Sequence, residues 1–208
     1  MTIDRTHYIL GLTGPTGAGK GEVAALLREA GIPVVDTDGL AREVVEPGHP
    51  CLAELTEAFS PAILKEDGTL DRRALAAAAF ATAEGSARLN AITHPHIIAR
   101  ANEVLSDFWA KGATIAAVDA PLLFESGMDK ICHRTVAVLA PAAVRLARIM
   151  ARDSLGEEQA KIRMNAQPDE AYYIDRADEI LRNEGTLCEF YESVQGFIRR
   201  LKDEWYEA

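Results

Sequence analysis

The sequence predicts an α/β fold in which a parallel sheet carries helices on both faces and a helical subdomain is inserted after the second strand. Three observations lead there. Short apolar runs that end in turn formers or aspartate alternate with segments of helical spacing, the pattern of parallel strands joined by crossover helices. A glycine-rich junction, Gly14 to Lys20, lies between the first such run and the first helix. The stretch from Leu40 to Ala110 is helical almost throughout and too long for a simple crossover.

The elements follow in chain order. Tyr8-Ile9-Leu10-Gly11-Leu12 is a short apolar run followed at once by turn residues, and reads as a buried strand. From Gly19 to Ala30 the spacing turns helical, with Val23, Leu26 and Leu27 on one face and Gly31 as the stop. Ile32-Pro33-Val34-Val35 is a second strand, with proline near its start where the missing N–H is tolerated, and it runs into Asp36-Thr37-Asp38. The helical block that follows has expected breaks at Pro47-Gly48, Ser60-Pro61, Asp67-Gly68 and His94-Pro95. A third strand, Thr114 to Val118, ends at Asp119, and a fourth, Thr135 to Leu139, ends before Pro141. Helical patterns occupy 142–176, where Ser154 and Glu157 have the spacing of a capping box. A short strand at Glu179 to Leu181 and a last helix from about Leu187 to Tyr206 complete the chain, with no internal repeat or low-complexity linker.

Composition narrows the function classes. The 208 residues are 48% hydrophobic and 26% charged, within the ordinary globular range. With 22 basic and 32 acidic residues the net charge is −10, so the overall field repels nucleic acid and anionic membrane. A polyanionic ligand must then be held by a local basic pocket. No apolar run reaches the roughly 18 residues of a membrane span. The stretch Met1 to Tyr8, with Asp4, Arg5 and His7, does not read as a secretory signal. Three scattered cysteines, Cys51, Cys132 and Cys188, suit a reducing cytoplasm, and a cytoplasmic location is expected.

The chemistry concentrates at Gly14-Pro15-Thr16-Gly17-Ala18-Gly19-Lys20, a match to the G-x-x-x-x-G-K phosphate loop with a strand before it and a helix after it. Glycines let the backbone turn its N–H groups around phosphate oxygens, the helix N-terminus adds positive potential, and Lys20 reaches the β- and γ-phosphates. An ordinary strand-to-helix turn needs neither the register nor the lysine. The motif expects Ser or Thr next, to ligate Mg²⁺; here the residues are Gly21 and Glu22. The Gly21 N–H still suits a phosphate, whereas Glu22 adds an anion unless it turns to solvent.

Further polar residues gather at predicted strand ends and on one helix. Asp119 matches the acid that holds Mg²⁺ directly or through water, or else it caps the turn after its strand. Asp36 and Asp38, two apart on an extended segment, face the same side and can serve one site, where a carboxylate orients or deprotonates an acceptor hydroxyl. The plainer reading makes Asp38 the N-cap of the next helix. Arg145, Arg148 and Arg152, at i, i+3 and i+7, form one basic stripe, and Ala142 to Pro168 holds five basic against three acidic residues. That stripe is either a phosphate-binding face or a solvated one. The histidines lack metal-ligand spacing, and His94-Pro95-His96 reads as a helix boundary.

Taken together, these segments resemble the dephospho-coenzyme A kinase family. The resemblance runs from Ile9 to about Leu201. It rests on Gly11-Leu12-Thr13-Gly14 leading into the loop, Val35-Asp36-Thr37-Asp38 with Ala41 to Gly48, Asp67 to Leu75, Leu89-Asn90-Ala91-Ile92-Thr93-His94-Pro95, Pro121-Leu122-Leu123-Phe124-Glu125, Arg148 to Asp153, and Ala177-Asp178 with Asn183-Glu184-Gly185. The resemblance implies a P-loop kinase with a five-stranded parallel core at 1–38, 112–142 and 177–208. It implies a helical insertion at about 39–111 on the coenzyme A side, and a lid at about 143–176 closing over ATP. The implied reaction moves the γ-phosphate of ATP, with Mg²⁺, to the ribose 3′-hydroxyl of dephospho-CoA. Under it Asp38 is the base, Lys20 the loop lysine, Arg148 and Arg152 the lid arginines, and Asn183 to Gly185 the turn near adenine. Gly14, Thr16, Gly17, Ala18, Gly19, Lys20, Gly21 and Glu22 line the nucleotide, Arg72 and His94 lie on the acceptor side, and Asp119 with Asp36 serve the metal. The family has Ser-Thr where this chain has Gly21-Glu22, and a lid lysine where it has Tyr172-Tyr173. A kinase for another small hydroxylated acceptor and a non-catalytic nucleotide-binding relative are the competing readings. Oligomeric state is not legible.

Overall fold

The computed structural model describes residues 6–207, so Asp4 and Arg5 of the polar N-terminal stretch lie outside the described residues. The chain divides into two compact units, Met1–Val35 with Phe108–Ala208, and Asp36–Asp107.

In the first unit the sheet is built from β1 (Tyr8–Thr13), β3 (Ile115–Asp119), β4 (Arg134–Leu139) and β5 (Glu179–Arg182), with β2 (Val34–Asp36) at one edge, in the order β2-β3-β1-β4-β5. β1 pairs in parallel with β3 and β4, and β4 with β5. The strands are apolar at consecutive positions because both faces are covered. On one face Leu10, Leu12, Ala117, Val136 and Val138 pack with Val23 and Leu27 of α1 (Lys20–Glu29) and Val194 and Phe197 of α9 (Leu187–Glu207). On the other, Ala137 and Leu139 pack with Tyr173, Phe124 and Ile180. β2 starts at Val34, two residues later than expected, after Pro33, which has no N–H to give; the Pro33 carbonyl still accepts the Ala117 N–H at 2.8 Å.

Three helices follow β4: α6 (Ala142–Asp153), α7 (Glu157–Asn165) and α8 (Glu170–Ile174). The capping box expected from Ser154 and Glu157 does not form. Ser154 is left-handed (φ 53°, ψ 39°) and terminates α6, whereas an N-cap needs extended backbone. Gly156 takes the N-cap of α7 without a side-chain bond, and Glu157 pairs with Lys161 at 2.6 Å.

The second unit holds α2 (Thr37–Glu43), α3 (Pro50–Phe59), a 3₁₀ turn at Pro61–Ile63, α4 (Arg72–Ala79) and α5 (Ala83–Ala110). Its core is Val44, Leu52, Leu55, Ile63, Leu75 and Ala79, against which Leu89, Ile92 and Ile97 of α5 pack. The expected boundary at His94-Pro95 is absent, because α5 runs through Pro95 without ending. An interior proline costs a helix about 3 kcal/mol. Partial burial of Leu89, Ile92 and Ile97 on both sides of it opposes that cost, each side chain contributing less than the roughly 1.5–3 kcal/mol of full burial. Among the described residues no helix is long and apolar enough to cross a membrane.

Candidate active site

The phosphate loop connects β1 to α1, and its backbone path admits no side chain at Gly14, Gly17 or Gly19, most severely at the first and last. At Gly14 (φ 133°) a Cβ would stand 2.2 Å from the Val138 carbonyl oxygen, and at Gly19 (φ 110°) 2.5 Å from Asn183 Nδ2. Both conformations are left-handed and both sites are too close for any substituent. Inside the loop the Ala18 N–H donates to the Pro15 carbonyl at 3.2 Å. α1 begins at Lys20 with no side-chain cap, so its first N–H groups form an anion-binding end at the loop. Glu22 is turned to α9, where its carboxylate accepts the Tyr191 hydroxyl; that bond raises the Tyr191 pKa. Its charge is therefore engaged by a neutral donor on the first unit's own scaffold.

The arginine stripe faces the loop. Arg145 Nε donates to the Thr16 carbonyl at 2.9 Å. Arg148 Nη1 donates to the carbonyls of Gly17 and Ala18 at 3.3 and 3.4 Å, and its Nη2 to Asn183 Oδ1 at 3.2 Å. Arg152 Nη2 donates to Thr16 Oγ1 at 3.3 Å, while its Nε is held by Asp153 at 2.7 Å. Burial lowers the Arg145 pKa, and the Asp153 bond raises that of Arg152. Asn183, after β5, is 2% exposed and donates through Nδ2 to the Ala18 carbonyl at 2.9 Å. Its side chain is thus a prop under the loop. Spacing had not singled out Gln167, whose Oε1 accepts the Thr16 N–H at 2.8 Å across 151 residues of sequence. Nothing local marks it.

Tyr172 and Tyr173 lie on α8. Arg176 sits over the Tyr172 ring at 4.0 Å, and Phe124 meets the same ring edge-on at 6.2 Å. Tyr173 is buried and its pKa is pushed up to about 12, chiefly by desolvation and then by Glu125. Both phenols pack against the sheet's second face.

Asp119 closes β3 opposite Leu12 of β1, one residue short of the end of the strand that feeds the loop. The Ala120 N–H donates to the Leu12 carbonyl at 3.0 Å, and Thr13 Oγ1 to the Pro121 carbonyl at 3.5 Å, which ties the two strand ends together. A Cβ built on Gly21 meets nothing within 4 Å, so water has room where the motif's hydroxyl would stand. One strand-end carboxylate with space for water fits a hard cation that keeps most of its hydration shell.

In the second unit Asp36, not Asp38, is the N-cap of α2: its carboxylate accepts the Asp38 N–H at 3.0 Å. Asp38 lies exposed in the first turn. Arg72 is exposed at the start of α4, whose cap is Asp71, and His94 is half-buried on α5.

Comparison with known proteins agrees with this geometry. The family model described as dephospho-CoA kinase matches residues 8–189. A dephospho-CoA kinase from Corynebacterium jeikeium is 46% identical over 189 residues, covering 90% of this chain and 96% of that protein. One from Moorella thermoacetica is 44% identical over 196 residues, covering 94% and 92%. The crystal structure of TT1252 from Thermus thermophilus superposes with a TM-score of 0.79 at 37% identity, covering 95% of this chain and 97% of that one. With a glycine-bounded phosphate loop, a basic stripe laid on it and family-level identity across nearly its whole length, the chain belongs to the dephospho-CoA kinase family.

Proposed function

We propose that this chain transfers the γ-phosphate of ATP to the ribose 3′-hydroxyl of dephospho-CoA, yielding coenzyme A and ADP. The observation that carries the reading is the phosphate loop with Arg145, Arg148 and Arg152 laid along it, in a chain of this family. Loop N–H groups and the N-terminus of α1 bind the phosphates, and Lys20 neutralises the β- and γ-oxygens. Gly14, Thr16, Gly17, Ala18, Gly19 and Gly21 form the backbone wall of that cradle, with Glu22 facing away from it. Asn183 to Gly185 offers backbone to adenine. Asp38 takes the proton from the 3′-hydroxyl as its oxygen attacks the γ-phosphorus and the bond to the β-phosphate oxygen breaks. Arg152 and Arg148 disperse the charge on the transferring group. Arg72 and His94 meet the acceptor, and the segments at about 39–111 and 143–176 are its platform and the lid.

Mg²⁺ fits the donor set described above. Asp119 would hold it, largely through water, and when bound it would neutralise charge on the β- and γ-phosphates; the Asp36 carboxylate is instead engaged as the cap of α2. Three free cysteines and the acidic surface suit a reducing cytoplasm.

The test is direct. Purified protein with ATP, Mg²⁺ and dephospho-CoA is expected to release ADP and to add one phosphate to the acceptor, detected by mass. Faster transfer to a nucleoside, nucleotide or sugar acid would move the substrate elsewhere. ATP binding without transfer to any of these would favour a non-catalytic relative.

A further inference from the structure

Thr16, at the middle of the phosphate loop, has all three of its polar groups held by side chains from α6 and the segment after α7. Its carbonyl accepts from Arg145 Nε at 2.9 Å, its hydroxyl from Arg152 Nη2 at 3.3 Å, and its N–H donates to Gln167 Oε1 at 2.8 Å. Both arginines leave the same helix, as does Arg148, so they hold α6 to the loop but place no direct hold on the α7–α8 connection. Gln167 comes from the α7–α8 connection, where its own N–H donates to the Met164 carbonyl at 3.1 Å. Its contact with the Thr16 N–H ties that second segment to the same loop residue.

We infer that Gln167 is a positioning residue for phosphoryl transfer: its side-chain carbonyl latches the α7–α8 connection onto the Thr16 N–H and so sets Arg145 and Arg152 against the loop. The inference rests on the kinase reading for its consequence in turnover, but the latch itself is a property of this chain alone. The residue type suits the task. An acceptor is required because the loop offers an N–H. A neutral one is favoured because a carboxylate 2.8 Å from a loop amide would oppose phosphate binding beside it. Rate depends steeply on such placement, since misplacing charged groups by about an ångström can cost roughly a hundred-fold.

Three variants and two readouts test this. Gln167→Met keeps length and volume but removes the acceptor. It is expected to lower kcat by about ten-fold, while the ATP Kd and the melting temperature stay near wild type. Gln167→Glu restores an acceptor and adds charge; kcat at saturating ATP is expected to recover to within about three-fold of wild type, with the ATP KM raised. Gln167→Asn, one methylene short, is expected to behave like the methionine variant. The second readout is hydrogen exchange at the Thr16 amide without nucleotide, expected to speed up by about five-fold or more in Gln167→Met. Wild-type kcat in Gln167→Met would overturn the inference. So would a kcat in Gln167→Glu as low as in Gln167→Met, or unchanged Thr16 exchange. Because the exchange measurement needs no acceptor substrate, it judges the latch even if dephospho-CoA is not phosphorylated, which would count only against the proposed function.

Discussion

Asp36 caps the helix on which Asp38 stands: the Asp36 carboxylate accepts the Asp38 N–H at 3.0 Å. The capping duty that a plain reading gives to Asp38 is therefore already met two residues earlier, and the Asp38 carboxylate is exposed on the first turn of α2. The two acids can be separated by mutation. Asp38→Asn is expected to lower kcat by roughly 10²-fold or more, as for loss of a general base, with folding and ATP affinity nearly unchanged. Asp36→Ala is expected to cost about 1 kcal/mol of stability, the usual effect of losing an N-cap. Near-normal kcat in Asp38→Asn would remove it from the mechanism; steady-state kinetics with thermal melts decides both.

Arg148 and Arg152 differ in what they grip. Arg148 is spread over the Gly17 and Ala18 carbonyls and Asn183, whereas Arg152 reaches only the Thr16 hydroxyl and leans on Asp153. Arg148→Ala is expected to raise the ATP KM and lower kcat together, because both the loop's shape and its charge change. Arg152→Ala is expected to lower kcat more than it raises KM. Wild-type kinetics in both variants would reduce the stripe to scaffolding.

Gly21 has open space where the motif's hydroxyl belongs. Gly21→Ser is expected to lower the Mg²⁺ concentration for half-maximal rate by about five-fold, or ~1 kcal/mol of added ligand binding. Thr16 is the rival source of a hydroxyl, but its oxygen accepts from Arg152, and a cation there would face a guanidinium. Thr16→Val is accordingly expected to leave the magnesium midpoint in place while lowering activity. A large shift in Thr16→Val with none in Gly21→Ser would reverse this assignment.

His133 gives a pH signature in the first unit's sheet. Its Nδ1 accepts the Ile9 N–H at 3.0 Å, and desolvation lowers its pKa below the ordinary 6.5. The unfolded chain then binds a proton that the folded chain resists. The contribution to stability is present above pH 6.5 and is lost as pH falls below it through the lower, folded value. Denaturant melts between pH 7 and 5 are expected to show a decline that is shallower in His133→Asn. An equal slope in that variant would assign the decline to other groups.

The parts read correctly from the sequence are those whose signal is local. The phosphate loop announces itself because the left-handed turns at Gly14 and Gly19 need glycine at fixed offsets, and the strands because a sheet covered on both faces must be apolar at successive positions. Gln167 was hidden for the opposite reason: its partner Thr16 is 151 residues away, and a neutral amide carries no pattern. Asn183 was named through the resemblance as part of a turn near adenine, but its side-chain bond to Ala18, 165 residues away, had no local signal. Pro95 misled because a local breaker was outweighed by the packing of Leu89, Ile92 and Ile97, and Ser154 because one residue can stop a helix or start one, but not both. The seat of Asp38 was misread: Asp36 ends β2 and caps α2 at once, so Asp38 stands in a helical turn and the two acids do not share one face of an extended segment.

The close approach of Gly14 to the Val138 carbonyl makes a lopsided partnership. One member contributes only a carbonyl oxygen, which every amino acid possesses, so exchanging Val138 for isoleucine or alanine leaves that surface in place. The other contributes the absence of an atom, which only one amino acid can supply. A saturation library would accordingly score position 14 as inflexible and position 138 by its core packing alone, and would miss that a single touching point joins them. Designers wishing to shift the phosphate seat would have to move the backbone of β4, because no choice of side chain at either position can do it.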